Sequence, residues 1–449
     1  MQPLVTARAS AAAVDLDGQA PARGEKRASR RGADGRGSDA EVVDGLARRH
    51  RLDTLITTAS GLAVYALSLL TSPLLARALG ADGRGSLAAV LRPTELVGWL
   101  LMFGVPAATA YHARDAARRE LQATSWALTF AAGIPLVVVM WPFVPTFLRN
   151  HPPETVAWFR WSLVAALLVL PFQNTYEYLR GQGANRRFNF YRSLPIVVST
   201  LLIVALYADG SLTLRRALAA NVGANLAVPL WVMFCERALI VRMWRYLRLD
   251  LARKQLHYGS RVWLGTLSNL VLARFDQLLM VGLVSPPQLG LYAVAATGAM
   301  VTLPIAQGVG YALFPVLRAE ADDALRRERI GQALRWVTVS SVGLCAVLGL
   351  IAPIVLPAVM GEEFRAAVTA FLLLLPGQIC WNVGQVYKVQ LEADDRPGVA
   401  SVALAVGAAI TLATVPFAVR WYGIEGAAAV TSFTQLLFLV LCWRAARRP

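Results

Sequence analysis

From residue 55 onward, apolar blocks of about twenty residues follow one another with only short polar breaks, and each is long enough to cross ~30 Å of hydrocarbon as a helix. Inside a bilayer every backbone N–H and C=O must be satisfied internally, so a chain built this way becomes a helical bundle or a closed barrel. Barrel strands alternate polar and apolar residues over about ten positions, and these blocks do not alternate. The chain is therefore read as an all-α polytopic membrane protein. Twelve blocks are expected, at 55–76, 87–110, 121–147, 158–178, 190–208, 214–236, 262–284, 289–316, 333–357, 366–387, 398–419 and 425–443.

Residues 1–54 are rich in Ala, Gly, Arg and Asp and poor in large hydrophobes, so this basic tail is expected to be disordered and cytoplasmic. It contains no apolar h-region and is not read as a cleavable signal peptide. The net charge of +16 could suggest nucleic acid, but the arginines cluster in loops, and membrane orientation explains them better. With the N-terminus inside, the inner loops carry about three times as many Arg and Lys as the outer ones, which places both termini in the cytoplasm. The expected organisation is an N-lobe at 55–240, a basic cytoplasmic linker at 241–261 and a C-lobe at 262–449.

The two lobes align with each other. VAALLVLPFQ, residues 164–173, matches TAFLLLLPGQ, residues 369–378, at an offset of 205 that also carries Gly85 onto Gly290 and Ala88 onto Ala293. This points to a parallel duplication, six helices onto six, related by a pseudo-two-fold axis. Parallel repeats are one way to build a transporter with its substrate between two lobes.

LVLARFDQLLMVGLV, residues 270–284, places Arg274 and Asp276 inside an apolar block. A charge at the bilayer centre costs about 2.5–3.5 kcal/mol on insertion scales. Arg274 lies about ten residues, or ~15 Å, from the outer end of its helix. Residues two apart point ~200° away from each other, so each needs its own partner on another helix, or water. A helix bordering a hydrated cavity and a helix held by one inter-helix ion pair both satisfy this. Arg92 and Glu95, three apart on one helical face, either pair with each other or line the same cavity. Gln378, Asn382 and Gln385 form a polar stripe at i, i+4, i+7, and Gln173 and Glu177 echo it in the first half. Such stripes serve helix packing or cavity lining.

The four cysteines and four histidines have no metal-ligand spacing, and no phosphate loop or nucleophile constellation is present. The chain is not expected to be an enzyme or to hold a cofactor.

Two passages resemble a family. LLARALGADGRGSLAAVL, residues 74–91, is similar to the junction between the first two helices of polysaccharide-repeat flippases. RFDQLLMVGLVSPPQLGLYAVAATGAMVTLPIAQGVGYALFPVLRAE, residues 274–320, is similar to their helix 7–8 hairpin, with G-x-Y-x-x-A at Gly290, Tyr292 and Ala295 and a terminating Pro315. These proteins belong to the multidrug/oligosaccharidyl-lipid/polysaccharide (MOP) exporter superfamily. The resemblance implies two six-helix bundles in a V, alternating access, and a cationic cavity that moves a polyprenyl-diphosphate-linked oligosaccharide across the cell membrane. Carried over by position, Arg274 and Asp276 match the charged positions of the family's helix 7, and Arg92 and Glu95 fall in the corresponding inward part of helix 2. The expectations that go with this reading are coupling to H+ or Na+, or to the membrane potential, and partners among anionic membrane lipids, a polysaccharide polymerase and glycosyltransferases. The alternatives are a peptidoglycan-precursor (lipid II) flippase, a multidrug/cation antiporter of the same superfamily and, from another class, a membrane glycosyltransferase.

Overall fold

The computed structural model describes residues 35–235, 237, 241–320 and 322–447. The chain divides into a unit of residues 1–52 and a larger unit of residues 53–449. In the first, helical backbone begins at Gly35. Residues 1–34, most of the expected disordered tail, lie outside the described residues.

Everything described in the larger unit is helical or a short connection. The elements in chain order are α1 (Gly35–Met102), α2 (Val105–His112), α3 (Arg118–Met140), α4 (Val144–Phe147), α5 (Pro153–Gly181), α6 (Asn185–Ala208) and α7 (Leu214–Cys235). They continue with α8 (Met243–Tyr246), α9 (Leu249–Leu283), α10 (Pro286–Ala299), α11 (Leu303–Ala319), α12 (Asp323–Met360), α13 (Ala367–Ala393) and α14 (Pro397–Ala446). Among the described residues, eight helices are long and apolar enough to cross a membrane. A ninth candidate is bent by 48° between Ala66–Met102 and α2. The chain is a multi-pass membrane protein. The stretch read as a linker at 241–261 is largely helical, because α9 already starts at Leu249.

Breaks between helices follow local chemistry. The long α1 is broken at Gly80, which takes a left-handed φ of 66°, and α14 is broken at Gly423 with φ 59°. Side chains are disfavoured in that region, and glycine enters it freely. Asp322 caps α12 by accepting hydrogen bonds from the backbone N–H groups of Ala324 (2.8 Å) and Leu325 (3.4 Å). Prolines sit inside most of the long helices, at 135, 171, 195, 229, 353, 376 and 416. Transmembrane helices tolerate this because neighbouring helices re-satisfy the freed backbone.

Small residues bring the helices together. A Cβ on Gly85 would collide with the Pro286 carbonyl, and one on Gly290 with the Ala81 carbonyl. Ala81 and Gly85 become Pro286 and Gly290 when 205 is added, so each member of one pair meets the equivalent of the other. Contacts in which i meets j while their equivalents meet in return are the mark of a two-fold relation. Two further hydrogen bonds lie nearby: Arg77 Nε donates to the Val359 carbonyl at the end of α12 (2.9 Å), and Asn150, after α4, donates to the Gly282 carbonyl (3.2 Å).

Candidate functional site

The charged residues of the second half of α1 and of α9 come together. Arg92 Nη1 pairs with Glu95 Oε2 at 3.2 Å, one turn along the same face. The Glu95 side chain keeps 39% of its surface exposed, so the pair is not packed shut. Arg274, on α9, interacts electrostatically with both. It is half-buried, and its Nη1 is buried with no hydrogen-bond partner. Arg84, in the break expected between the first two apolar blocks, is buried on the same helix as Arg92 and interacts with it electrostatically. Its Nη2 donates to Ser72 Oγ (3.3 Å) across the break at Gly80. Three guanidiniums thus follow one another from Arg84 to Arg92 to Arg274, with Glu95 paired to the middle one.

Asp276 points elsewhere, as its spacing from Arg274 requires. It is 5% exposed, and its Oδ2 accepts hydrogen bonds from the Tyr292 hydroxyl on α10 and from Thr431 Oγ1 on α14 (3.0 Å). Its Oδ1 accepts from the Gln277 backbone N–H at 2.7 Å. Three helices therefore converge on one carboxylate. Tyr292 was visible in the G-x-Y-x-x-A motif but carried no role, and nothing local in the sequence marks Thr431, 155 residues away.

The polar stripes divide between packing and open valence. Asn382 is fully buried, and its Nδ2 donates to Ser341 Oγ (3.1 Å) and the Thr302 carbonyl (3.3 Å), tying α13 to α12. Asn174 does the same for α5 and α3 through Thr129 Oγ1 (3.0 Å). Gln378 is buried with its Oε1 unpartnered, Gln173 likewise has an unpartnered Oε1, and Gln385 is half-buried. Glu177 is ion-paired to Arg180 three residues on, near the end of α5, and is not part of the α1–α9 charge group. Among the described residues, no group of three or more His, Cys, Asp or Glu could hold a metal ion.

With this geometry in place, the fold can be compared with solved structures. One similar structure is an inward-facing conformation of a multidrug resistance MATE family transporter of the MOP superfamily (TM-score 0.70, 16% identity, covering 86% of this chain and 93% of that one). Another is the lipid II flippase MurJ in an inward closed conformation (TM-score 0.68, 10% identity, 88% of each chain). An outward-facing conformation of a MATE family transporter matches less closely (TM-score 0.58, 16% identity, 89% of this chain and 94% of that one). The fold is that of the MOP transporters. The chain belongs to the polysaccharide biosynthesis protein family, whose sequence pattern matches residues 52–319. No curated protein matches the sequence.

Proposed function

We propose that this chain carries a polyprenyl-diphosphate-linked oligosaccharide from the inner to the outer leaflet of the plasma membrane by alternating access, for cell-surface polysaccharide synthesis. The observation that carries the reading is the unpartnered Arg274 Nη1 beside Arg92 on the facing helix. A buried guanidinium N–H lacking a hydrogen-bond acceptor calls for an anionic one, and a diphosphate accepts arginine forks bidentately. Family membership supports the polysaccharide side of the proposal.

The layout proposed with it is twelve spans in two six-helix bundles forming a V, with both termini in the cytoplasm and lobes at 55–240 and 262–449. The breaks at Gly80 and Gly423, the reciprocal Gly85–Gly290 contact and the basic inner loops support it. In this reading the chain is a carrier and not an enzyme, and a polymerase and glycosyltransferases work alongside it. The membrane potential supplies ~2.3 kcal/mol per negative charge per 100 mV for outward movement. Antiport of H+ or Na+ through Glu95 or Asp276 is the alternative coupling.

The test is mass spectrometry of polyprenyl-diphosphate oligosaccharides extracted from cells depleted of the protein, beside cells carrying Arg274→Ala at normal level. Accumulation of one completed glycolipid in both is expected. Unchanged glycolipids together with altered sensitivity to cationic compounds would replace this reading with the drug antiporter.

A further inference from the structure

A second site lies in the first half of the protein, away from the α1–α9 charge group. The chain enters α3, returns through α5, enters α6 and returns through α7, so the start of α3, the end of α5, the start of α6 and the end of α7 share one end of the bundle. A cavity of about 490 Å³ opens between them, within the range of small-molecule sites. Its lining includes Arg118, Arg186 and Arg187 and no Asp or Glu among the described residues. Arg118 stacks over the Tyr178 ring at 6.0 Å. Neither Arg186 nor Arg187 has an ion-pair partner among the described residues. The nearby carboxylate, Glu177, is held by Arg180.

The lining also includes Gln122, one helical turn beyond Arg118 on α3. It is 1% exposed, and neither its Nε2 nor its Oε1 has a hydrogen-bond partner. A buried amide with both ends open is matched by a ligand that offers an acceptor and a hydroxyl. Phe172 packs edge-on against Tyr176 and Tyr191 (ring centroids 5.2 and 6.2 Å) to make one wall. At the rim, Phe190 and Trp231 are 61% and 58% exposed. Large apolar side chains on the outside of a membrane bundle face acyl chains, and tryptophan favours the headgroup level.

We propose that this cavity binds the phosphate-bearing headgroup of an anionic membrane lipid, with the phosphate at Arg186 and Arg187, the headgroup hydroxyls at Gln122, and an acyl chain along Phe190 and Trp231. This site is separate from the proposed transport path and stands whether or not that reading holds. A soluble phosphate ester shares the headgroup chemistry but has no use for the exposed apolar rim.

The test is thermal unfolding of the full chain in detergent with added phosphatidylglycerol, phosphatidylcholine or free glycerol 3-phosphate. Phosphatidylglycerol is expected to raise the Tm of the unmodified protein by about 3 °C or more, by mass action on the folded state. Phosphatidylcholine and glycerol 3-phosphate should leave it unchanged. Gln122→Leu and the double variant Arg186→Ala/Arg187→Ala should both lose the response. Gln122→Leu keeps the net charge, so its loss separates a built site from general attraction of anionic lipid to a basic surface, and its lipid-free Tm reports that it folds. An equal response in both variants, or to phosphatidylcholine, overturns the proposal. A full response to glycerol 3-phosphate overturns the lipid source.

Discussion

At the scale of single residues, Arg274 and Asp276 look alike in sequence and differ in structure. Asp276 is enclosed by donors from Tyr292 and Thr431, while Arg274 keeps a buried N–H without a partner. Asp276→Ala removes the acceptor shared by the Tyr292 and Thr431 hydroxyls, which then pair with each other at best and leave one O–H unmatched, so it should lower stability by about 1–3 kcal/mol, the usual cost of an unsatisfied buried group. Unfolding in detergent measures this. Arg274→Ala removes no hydrogen bond made through Nη1, so its Tm should change little, while the proposed glycolipid transport falls about tenfold or more, as losing one charge-assisted contact implies. A Tm loss in Arg274→Ala as large as that of Asp276→Ala would mark Arg274 as structural. His151 gives a pH prediction. It lies between α4 and α5, and its Nε2–H donates to the Val281 carbonyl (3.1 Å), with Nδ1 buried and unpartnered. Burial holds its imidazole below the ordinary 6.5, against the opposing pull of the Val281 carbonyl and Asp82. A folded-state value below the unfolded one means the unfolded chain takes up the proton first. The stabilisation is therefore full above about pH 6.5 and lost as pH falls below it. His151→Gln should show a shallower loss of Tm between pH 7 and pH 5 than the unmodified protein. Identical slopes would show that another group sets this dependence.

At the scale of elements, helix contacts are set by glycine where backbones nearly touch. Gly85 and Gly290 face carbonyl oxygens, which have no side-chain freedom with which to move aside. Gly85→Val and Gly290→Val should each cost about 1–3 kcal/mol through overpacking. Because both act on the same contact, the double variant should fall short of the sum. Gly98→Ala is the matched control on the same helix, since a Cβ there meets nothing within 4 Å, and it should be neutral or slightly stabilising. Equal losses at all three positions would argue against a specific α1–α10 crossing. The offset of 205 was readable in the sequence as a match between two stretches. That the matched glycines would lie against each other was not, because the match carries no information about where the symmetry axis passes.

At the scale of the whole molecule, α9 makes a second close approach. Its first half packs along the end of α1, along α2 and against α3. Trp263 Nε1 donates to the Trp99 carbonyl (3.0 Å), Tyr258 stacks on Tyr111 at 4.2 Å, and Gln255 Nε2 reaches Ser125 Oγ (2.6 Å). Alternating access requires such a contact to open. A cleavable dithio cross-linker joining Trp99→Cys and Trp263→Cys, in a Cys235→Ser background, should stop the proposed transport when it bridges the seam and release it on reduction. Full transport in the cross-linked protein would show that this seam does not gate.

What the sequence determined by itself was the material of the fold. Blocks of about twenty apolar residues in a chain that must satisfy its own backbone leave the helix as the solution, and a charge within such a block marks its own anomaly. Arg92, Glu95, Arg274 and Asp276 were legible for that reason, and the repeat was legible as a match between two stretches. Only the tertiary structure decided their partners. Asp276 meets Thr431 across 155 residues of chain, Arg84 turns out to be buried beside Arg92's field and not loose in a loop, and Gln122 gains meaning from arginines on another helix. Hydropathy records how each residue prefers water or lipid. Which polar groups share an interior is set by the packing of helices distant in sequence, and in a low-dielectric interior that sharing determines whether a charge is satisfied or left open to a ligand.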